Sequence, residues 1–140
     1  MRRYIIASHA HVADGLKESL GLLVGERDDV QALSLFVDGH DDVAGLLREI
    51  VNAAAADEDV VLCTDILGGS VNNEATKILA ERPNTYAVTN MTLPLLINLL
   101  FADPEQPTAE VLRALCAAGE SAPKFVNDLV EEVTEDEEEF

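Results

Sequence analysis

Two histidines stand close together near the start of the chain, in a protein that has three. His9 and His11 follow the apolar run "YIIA" and flank Ala10. A neutral imidazole nitrogen is a nucleophile near pH 7, and its phosphoramidate is labile enough to pass the phosphoryl group onward. The pair therefore indicates phosphoryl transfer or, together with a carboxylate, a zinc or manganese site.

A second polar loop, "TDILGGS", follows the apolar run "DVVLC". Asp65 can accept a hydrogen bond from one ring nitrogen of His9, which would fix the tautomer and stabilise the cation formed during transfer. Gly68 and Gly69 take a positive φ at low cost and turn N–H groups inward, and Ser70 is predicted as the N-cap of the next helix. We expect these three residues to form an anion cradle without any basic side chain. Taken alone, they fit a plain strand-to-helix turn equally well.

The hydrophobic pattern alternates between short apolar runs and helical periodicity. It predicts strands over 3–8, 30–36, 59–64 and 85–90, helices over 14–25, 41–56 and 71–82, and two or three further helices after the fourth strand. Crossovers of this length predict a single-domain, three-layer α/β sandwich, in which helices cover both faces of a four-stranded parallel sheet. We take the order to be 2-1-3-4, the common one for such a sheet. Strands 1 and 3 are neighbours in that order, so we expect the loops carrying His9 and Asp65 to meet.

Composition limits the function classes. One domain is predicted over 1–133, followed by an acidic tail over 134–140 that we expect to be disordered. The net charge is −18, and subtracting the seven acids within 131–139 still leaves −11. So acidic a body repels phosphate backbones and anionic lipid, which argues against nucleic acid and membrane surfaces as partners. The sequence shows no signal segment and no apolar stretch near the ~20 residues of a membrane span, so we expect no membrane insertion.

Both cysteines, and the histidines other than His9, are predicted to lie outside the reactive group. Cys63 and Cys116 lie in apolar patterns and are predicted to be small buried hydrophobes, which fits a reduced, cytoplasmic setting. His40 is predicted to be a solvated loop residue before a helix N-cap. His11 is predicted to be an exposed loop residue, with the alternative that it lies beside His9 as a second ring that assists or repels. The chain contains neither G-x-x-x-x-G-K-[ST] nor G-x-G-x-x-G, so no nucleotide cofactor is predicted.

Three segments carry a resemblance to a known family. "YIIASHAHVADGL", "VVLCTDILGGSVNNEA" and "VTNMTLPLLINLL" together resemble the mannose/fructose/sorbose-type IIA component of the bacterial phosphoenolpyruvate-dependent sugar phosphotransferase system. The resemblance implies a cytoplasmic, four-stranded parallel α/β domain, often a homodimer, without cofactor or metal. Such a domain accepts phosphate from phospho-HPr on one histidine and gives it to a IIB component during sugar uptake. The resemblance also allows association with a IIC/IID permease.

The resemblance also assigns roles to individual residues. His9 matches the phosphorylated histidine, Asp65 the acid that orients it, and Ser70 the serine after the paired glycines. It places the start of "LPLLINLL" beside the site. The partner rim predicted on this basis consists of Ala10, His11, Asn90, Met91 and Thr92.

The chain departs from the family pattern in three places. Ala10 replaces the glycine that usually follows the active histidine. Val71 and Asn72 replace the proline and aromatic residue of the usual "GGSPFN", and we expect this change to affect the choice of partner. The segment "SAPKFVNDLVEEV" is typical of a helix, whereas the family often has a strand there that is exchanged between subunits.

Four other functions remain open. The phosphotransfer subunit of a dihydroxyacetone kinase shares the fold and an "SH" loop, but typically lacks the paired glycines and the "LP" segment. A receiver-type phosphoacceptor would use Asp65, but it needs an acidic pair where Ser8 and His9 stand. A phosphorylation-regulated binding domain would use the same histidine as a signal. A metal-dependent hydrolase would hold zinc or manganese on His9, His11 and Asp65.

Overall fold

The sheet has the predicted strand order. The computed structural model describes residues 1–130, so the tail predicted for 134–140 lies outside the described residues. Four strands, β1 (Arg2–His9), β2 (Val30–Leu35), β3 (Asp59–Thr64) and β4 (Thr85–Val88), pair in parallel in the order β2-β1-β3-β4. The predicted α/β fold is therefore confirmed.

Helices connect the strands and follow the last one. They are α1 (Val12–Val24), α2 (Val43–Asn52), α3 (Ser70–Glu81), α4 (Leu93–Leu100) and α5 (Thr108–Ala118). Residues 126–130 are helical as well, in agreement with the helix predicted for this segment. Within residues 1–130, every helix is too short or too polar to cross a membrane.

The sheet separates two apolar layers because successive side chains of a strand point to opposite faces. Ile6 and Cys63 face a layer built with α1, α4 and α5. Ile5 and Leu62 face the other layer, built with α2 and α3. Burial on both faces explains why β1 and β3 appear in the sequence as continuous apolar runs. The parallel pairing of β1 with β3 places the carboxyl ends of these two strands side by side.

Two structural predictions outside the site need correction. Cys63 is fully buried as predicted, and burial raises the pKa of its thiol to about 12. Cys116 is exposed, so its predicted burial is wrong: the buried side chains of α5, Thr108, Val111 and Leu112, all lie in its first half. His40 is half-buried, and its Nδ1 donates to the carbonyl of Ser34 at 2.9 Å, so it is not simply a solvated loop residue.

Candidate functional site

The two loops with candidate chemistry meet at the carboxyl ends of β1 and β3. The strands are neighbours, with Ala7 opposite Thr64. Asp65 Oδ2 accepts a hydrogen bond from the backbone N–H of His9 at 2.8 Å and also lies 2.8 Å from His9 Nδ1. The prediction that His9 and Asp65 face each other is confirmed.

This contact indicates which nitrogen of the His9 ring carries a proton. An ionised carboxylate can only accept hydrogen bonds, so Nδ1 carries the proton. Burial acts to raise the pKa of Asp65, but the hydrogen bonds from the backbone and ring of His9 outweigh it, and the net pKa lies below its usual value. Asp65 is therefore ionised at neutral pH, and in the neutral ring the lone pair lies on Nε2, the nitrogen away from the acid.

The reactive side of His9 is open to solvent. The side chain of His9 is 39% exposed, whereas that of Asp65 is 15% exposed. Ser70 Oγ lies 3.4 Å from His9 Nε2, which is longer than a strong hydrogen bond. A nucleophilic nitrogen in this position can reach a group carried on the surface of another protein.

The paired glycines serve the second loop in different ways. Gly68 has a φ of +77°, the left-handed conformation that favours glycine. Gly69 has a φ of −76°, so the prediction of a positive φ is wrong for this residue. It is needed for space instead, since a Cβ on Gly69 would lie 3.0 Å from Ile66 Cγ1 and 3.2 Å from His9 Cε1. Gly69 thus lets the loop pack directly against the imidazole ring.

Helix α3 begins beside this ring. Its N-cap is Gly69 and its first residue is Ser70, so the predicted N-cap role of Ser70 is wrong. No side chain caps the first turn. The first amides of a helix have no partner within the helix, so this terminus offers N–H donors and the positive end of a helix dipole to an anion.

The turn after β1 is held by a buried hydroxyl. Ser8 Oγ accepts a hydrogen bond from the Ala13 N–H at 2.7 Å and donates to the Ala10 carbonyl at 3.1 Å. Ala10 has a φ of +51°, and its N–H donates to the carbonyl of Leu35 at 2.8 Å. A glycine would suit this conformation, and here the hydrogen bonds hold an alanine in it.

His11 belongs to a different group of side chains. Its Nε2 lies 2.7 Å from Asp38 Oδ2, and both side chains are exposed, which agrees with the predicted exposed loop residue. Ligand atoms of His11, Asp14 and Asp38 lie within 4.8 Å of one another. Among the described residues, this is the one group with metal-ligand geometry, and it includes neither His9 nor Asp65. The ligand set considered for a metal hydrolase is therefore not assembled.

The predicted partner rim is exposed only in part. Ala10, His11 and Asn90 are exposed, and Thr92 is half-buried. Met91 is 8% exposed and packs in the core layer that contains α4. The part of the prediction that presents Met91 to a partner is corrected, because its side chain is occupied by core packing.

Val71 and Asn72, which replace the proline and aromatic residue of the family, are both at least partly buried. Val71 is fully buried in the core. Asn72 is half-buried, and its Oδ1 accepts a hydrogen bond from the hydroxyl of buried Thr64 at 3.0 Å. Since Thr64 directly precedes Asp65, Asn72 ties the start of α3 to the strand that carries the acid.

Phe36 is the site residue that the sequence reasoning missed. Its ring stacks on that of His9, with centroids 5.4 Å apart and planes inclined by 21°. Phe36 directly follows β2, whose last residue, Leu35, is opposite His9 in the register. An aromatic residue at the end of the strand next to β1 was the available signal.

The chain is similar in sequence to phosphotransferase system (PTS) components. The profile of a family described as "PTS system fructose IIA component" matches residues 3–116. The PTS mannose-specific EIIAB component of Escherichia coli K12 is 30% identical over 115 residues, which cover 79% of this chain and 35% of that protein. The chain thus spans about a third of the length of this relative. The PTS fructose-specific EIIA component of Bacillus subtilis 168 is 24% identical over 130 residues, which cover 92% of this chain and 89% of that protein.

A solved structure shows the same similarity. A crystal structure from Klebsiella pneumoniae, described as a sugar phosphotransferase system protein, superposes with a TM-score of 0.83 at 30% identity. The superposition covers 92% of this chain and 93% of the other.

Proposed function

The chain belongs to the fructose/mannose IIA family of the phosphotransferase system, and from this premise we propose that it is a phosphocarrier that accepts a phosphoryl group from phospho-HPr on His9 and passes it to a IIB component. Family membership supports a phosphotransfer role in sugar uptake. The observation that carries the finer proposal is the partly exposed imidazole of His9, held at Nδ1 by Asp65 so that Nε2 is the ring nitrogen left for transfer.

The transfer step requires only groups of the two proteins. The lone pair of His9 Nε2 attacks the phosphorus of phosphohistidine on HPr, the donor N–P bond breaks, and its electron pair returns to the donor imidazole. The new N–P bond places positive charge on the His9 ring. The Asp65 carboxylate stabilises this charge through the Nδ1 proton. Transfer to the IIB component follows the same course with His9 as donor.

We assign the phosphoryl oxygens to the loop before α3. The backbone N–H groups of Gly68, Gly69 and Ser70 lie in this loop, and the positive end of the α3 dipole favours an anion there. Gly69 packs against the His9 ring, so the cradle starts where the phosphorus would be bound.

The surroundings of His9 favour a protein as the phosphoryl donor. Four apolar side chains that follow the carboxyl ends of β1, β2 and β3 are at least 45% exposed: Val12, Phe36, Ile66 and Leu67. Exposed apolar side chains around a polar centre are typical of protein docking surfaces. The homodimer, the cytoplasmic location and an association with a IIC/IID permease are part of the same proposal and rest on the family alone.

Phosphorylation by purified components tests the proposal. The protein is incubated with enzyme I, HPr and labelled phosphoenolpyruvate, and acid-labile label is measured. We expect labelling of the wild type and of His11→Ala, and none of His9→Ala with an unchanged circular dichroism spectrum. Label that persists in His9→Ala, or that maps to His11 or Asp65, contradicts the proposal.

A chelator separates the carrier from the metal hydrolase. We expect the same labelling when transition metals are removed by a chelator that leaves the magnesium required by enzyme I. Loss of labelling that zinc or manganese restores would favour the hydrolase. The His11→Ala variant, which removes one member of the group with Asp14 and Asp38, then shows whether that group holds the ion.

A further inference from the structure

The His9 ring is restrained at its edges by the loop between β3 and α3. Asp65 holds Nδ1 at 2.8 Å, and Gly69 packs against Cε1. A hydrogen bond at one ring atom fixes a direction but leaves the ring free to tilt about it. A contact on the face of the ring is what restricts this motion, and Phe36 makes that contact, with its plane at 21° to the imidazole.

Phe36 stacks on His9 although its own backbone is in an unfavourable conformation. Its φ is +64°, which is an outlier for a bulky side chain. Its N–H donates to the carbonyl of His40 at 2.7 Å, and the His40 N–H donates to the carbonyl of Val37 at 2.9 Å. His40 Nδ1 in turn donates to the carbonyl of Ser34, the last residue but one of β2. Three hydrogen bonds therefore maintain a turn that directs an aromatic ring onto His9.

We propose that Phe36 is a positioning residue for His9: by covering one face of the imidazole, it keeps the ring on Asp65 and Nε2 directed outward for transfer. The stacking is a property of the unphosphorylated protein, and its consequence for transfer rests on the proposed function. Any side chain that supplies a flat face to the imidazole should satisfy this role, whereas an aliphatic side chain of similar volume should not.

Three variants test the proposal. Phe36→Leu keeps an apolar side chain but removes the flat face, and Phe36→Tyr keeps the face. Phe101→Leu is the matched control. Phe101 is also exposed, and it directly follows α4. Its neighbours Leu100 and Ala102 line a depression with Arg2 at the amino end of β1, whereas His9 lies at the carboxyl end of that strand. Circular dichroism and thermal unfolding establish that each variant is folded.

The first measurement is the exchange of the His9 Nδ1 proton with water, followed by nuclear magnetic resonance without any phosphoryl donor. We expect exchange in Phe36→Leu to be about threefold to tenfold faster, since stacking of this kind changes an equilibrium by about that factor. Phe36→Tyr and Phe101→Leu should exchange at the wild-type rate. Unchanged exchange in Phe36→Leu would overturn the proposal, whatever the fate of phosphoryl transfer.

The second measurement is the rate of phosphorylation as a function of phospho-HPr concentration. We expect the maximal rate of Phe36→Leu to fall about threefold to tenfold at an unchanged half-saturating concentration, with Phe36→Tyr restoring the rate. A rise in the half-saturating concentration alone would show that Phe36 contacts the donor and would overturn the positioning role. If His9→Ala is still phosphorylated, the proposed function fails, and the exchange measurement still decides whether Phe36 orients the ring.

Discussion

Replacing Gly69 by alanine inserts one methyl group between the acid loop and the reactive ring. The new Cβ would lie 3.0 Å from Ile66 Cγ1 and 3.2 Å from His9 Cε1, both shorter than the ~3.5–4.0 Å of a normal carbon contact. Ile66 is 52% exposed and can rotate away, whereas the His9 ring is fixed at Nδ1 by Asp65. The substitution therefore displaces the ring or breaks its contact with Asp65.

The structure separates the expected loss of stability from the loss of transfer. The φ of −76° at Gly69 is allowed for alanine, so the backbone adds no strain. Overpacking costs about 1–3 kcal/mol in a closed core. With Ile66 free to move, we expect about 1 kcal/mol here, or a Tm lower by about 2–5 °C. A shift of the ring by about half an ångström should slow phosphorylation about tenfold, since a misplacement of 1 Å costs up to about a hundredfold.

Two further glycine-to-alanine variants serve as controls in the same assays, the rate of phosphorylation by phospho-HPr and thermal unfolding. Gly15 lies within α1, where a Cβ meets nothing within 4 Å, so Gly15→Ala should stabilise the fold by about 0.5–1 kcal/mol without slowing transfer. A Cβ on Gly68 also meets nothing within 4 Å, but alanine at a φ of +77° should lower the stability of the fold by about 1 kcal/mol. The reasoning is refuted if Gly69→Ala transfers at the wild-type rate.

Two predictions concern Asp65. Asp65→Asn removes the charge that stabilises the imidazolium, so we expect phosphorylation to slow by about 10²-fold with an unchanged circular dichroism spectrum; an unaltered rate would show that the acid is not required. The pKa of Asp65 is lowered in the folded state, so its contribution to stability is complete above the unfolded pKa of about 3.9 and is lost as the pH falls through the lower, folded pKa. The free energy of unfolding of the wild type and of Asp65→Asn can be measured in urea between pH 6 and 2.5. The difference between the two proteins should shrink below about pH 4. A difference that does not depend on pH would contradict this.

The parallel sheet followed from the sequence for a simple physical reason, and the contact of His9 with Asp65 followed once the common strand order was adopted. Parallel strands covered on both faces appear as continuous apolar runs, and their loops collect at the carboxyl ends. Once β1 and β3 are neighbours, the first polar residues after them must lie side by side. The two residues that the argument depended on most are therefore those that topology alone can place.

Details that depend on packing between distant segments could not be predicted. The sequence favours Ser70 as the N-cap, yet Gly69 takes that place, and its tight packing beside His9 depends on a distant segment of the chain. The positive φ of Phe36 contradicts the preference of an aromatic residue, so no local rule points to its stacking. The burial of Met91 likewise depends on tertiary packing around α4 rather than on its position after β4.

Within residues 1–130, the groups found against the His9 ring are Asp65, Phe36, Gly69 and Ser70, and none of these is a cation. A lysine or arginine 4 Å from a bound phosphoryl group would add about 4 kcal/mol at an effective dielectric constant of about 20. That energy corresponds to a bias of about a thousandfold against releasing the group. For the proposed carrier, a cradle of backbone amides keeps the equilibrium constants of the receiving and donating steps close to unity. The group-transfer potential of the donor is then preserved, and the direction of flow is set by the supply of phosphoenolpyruvate and the demand for sugar.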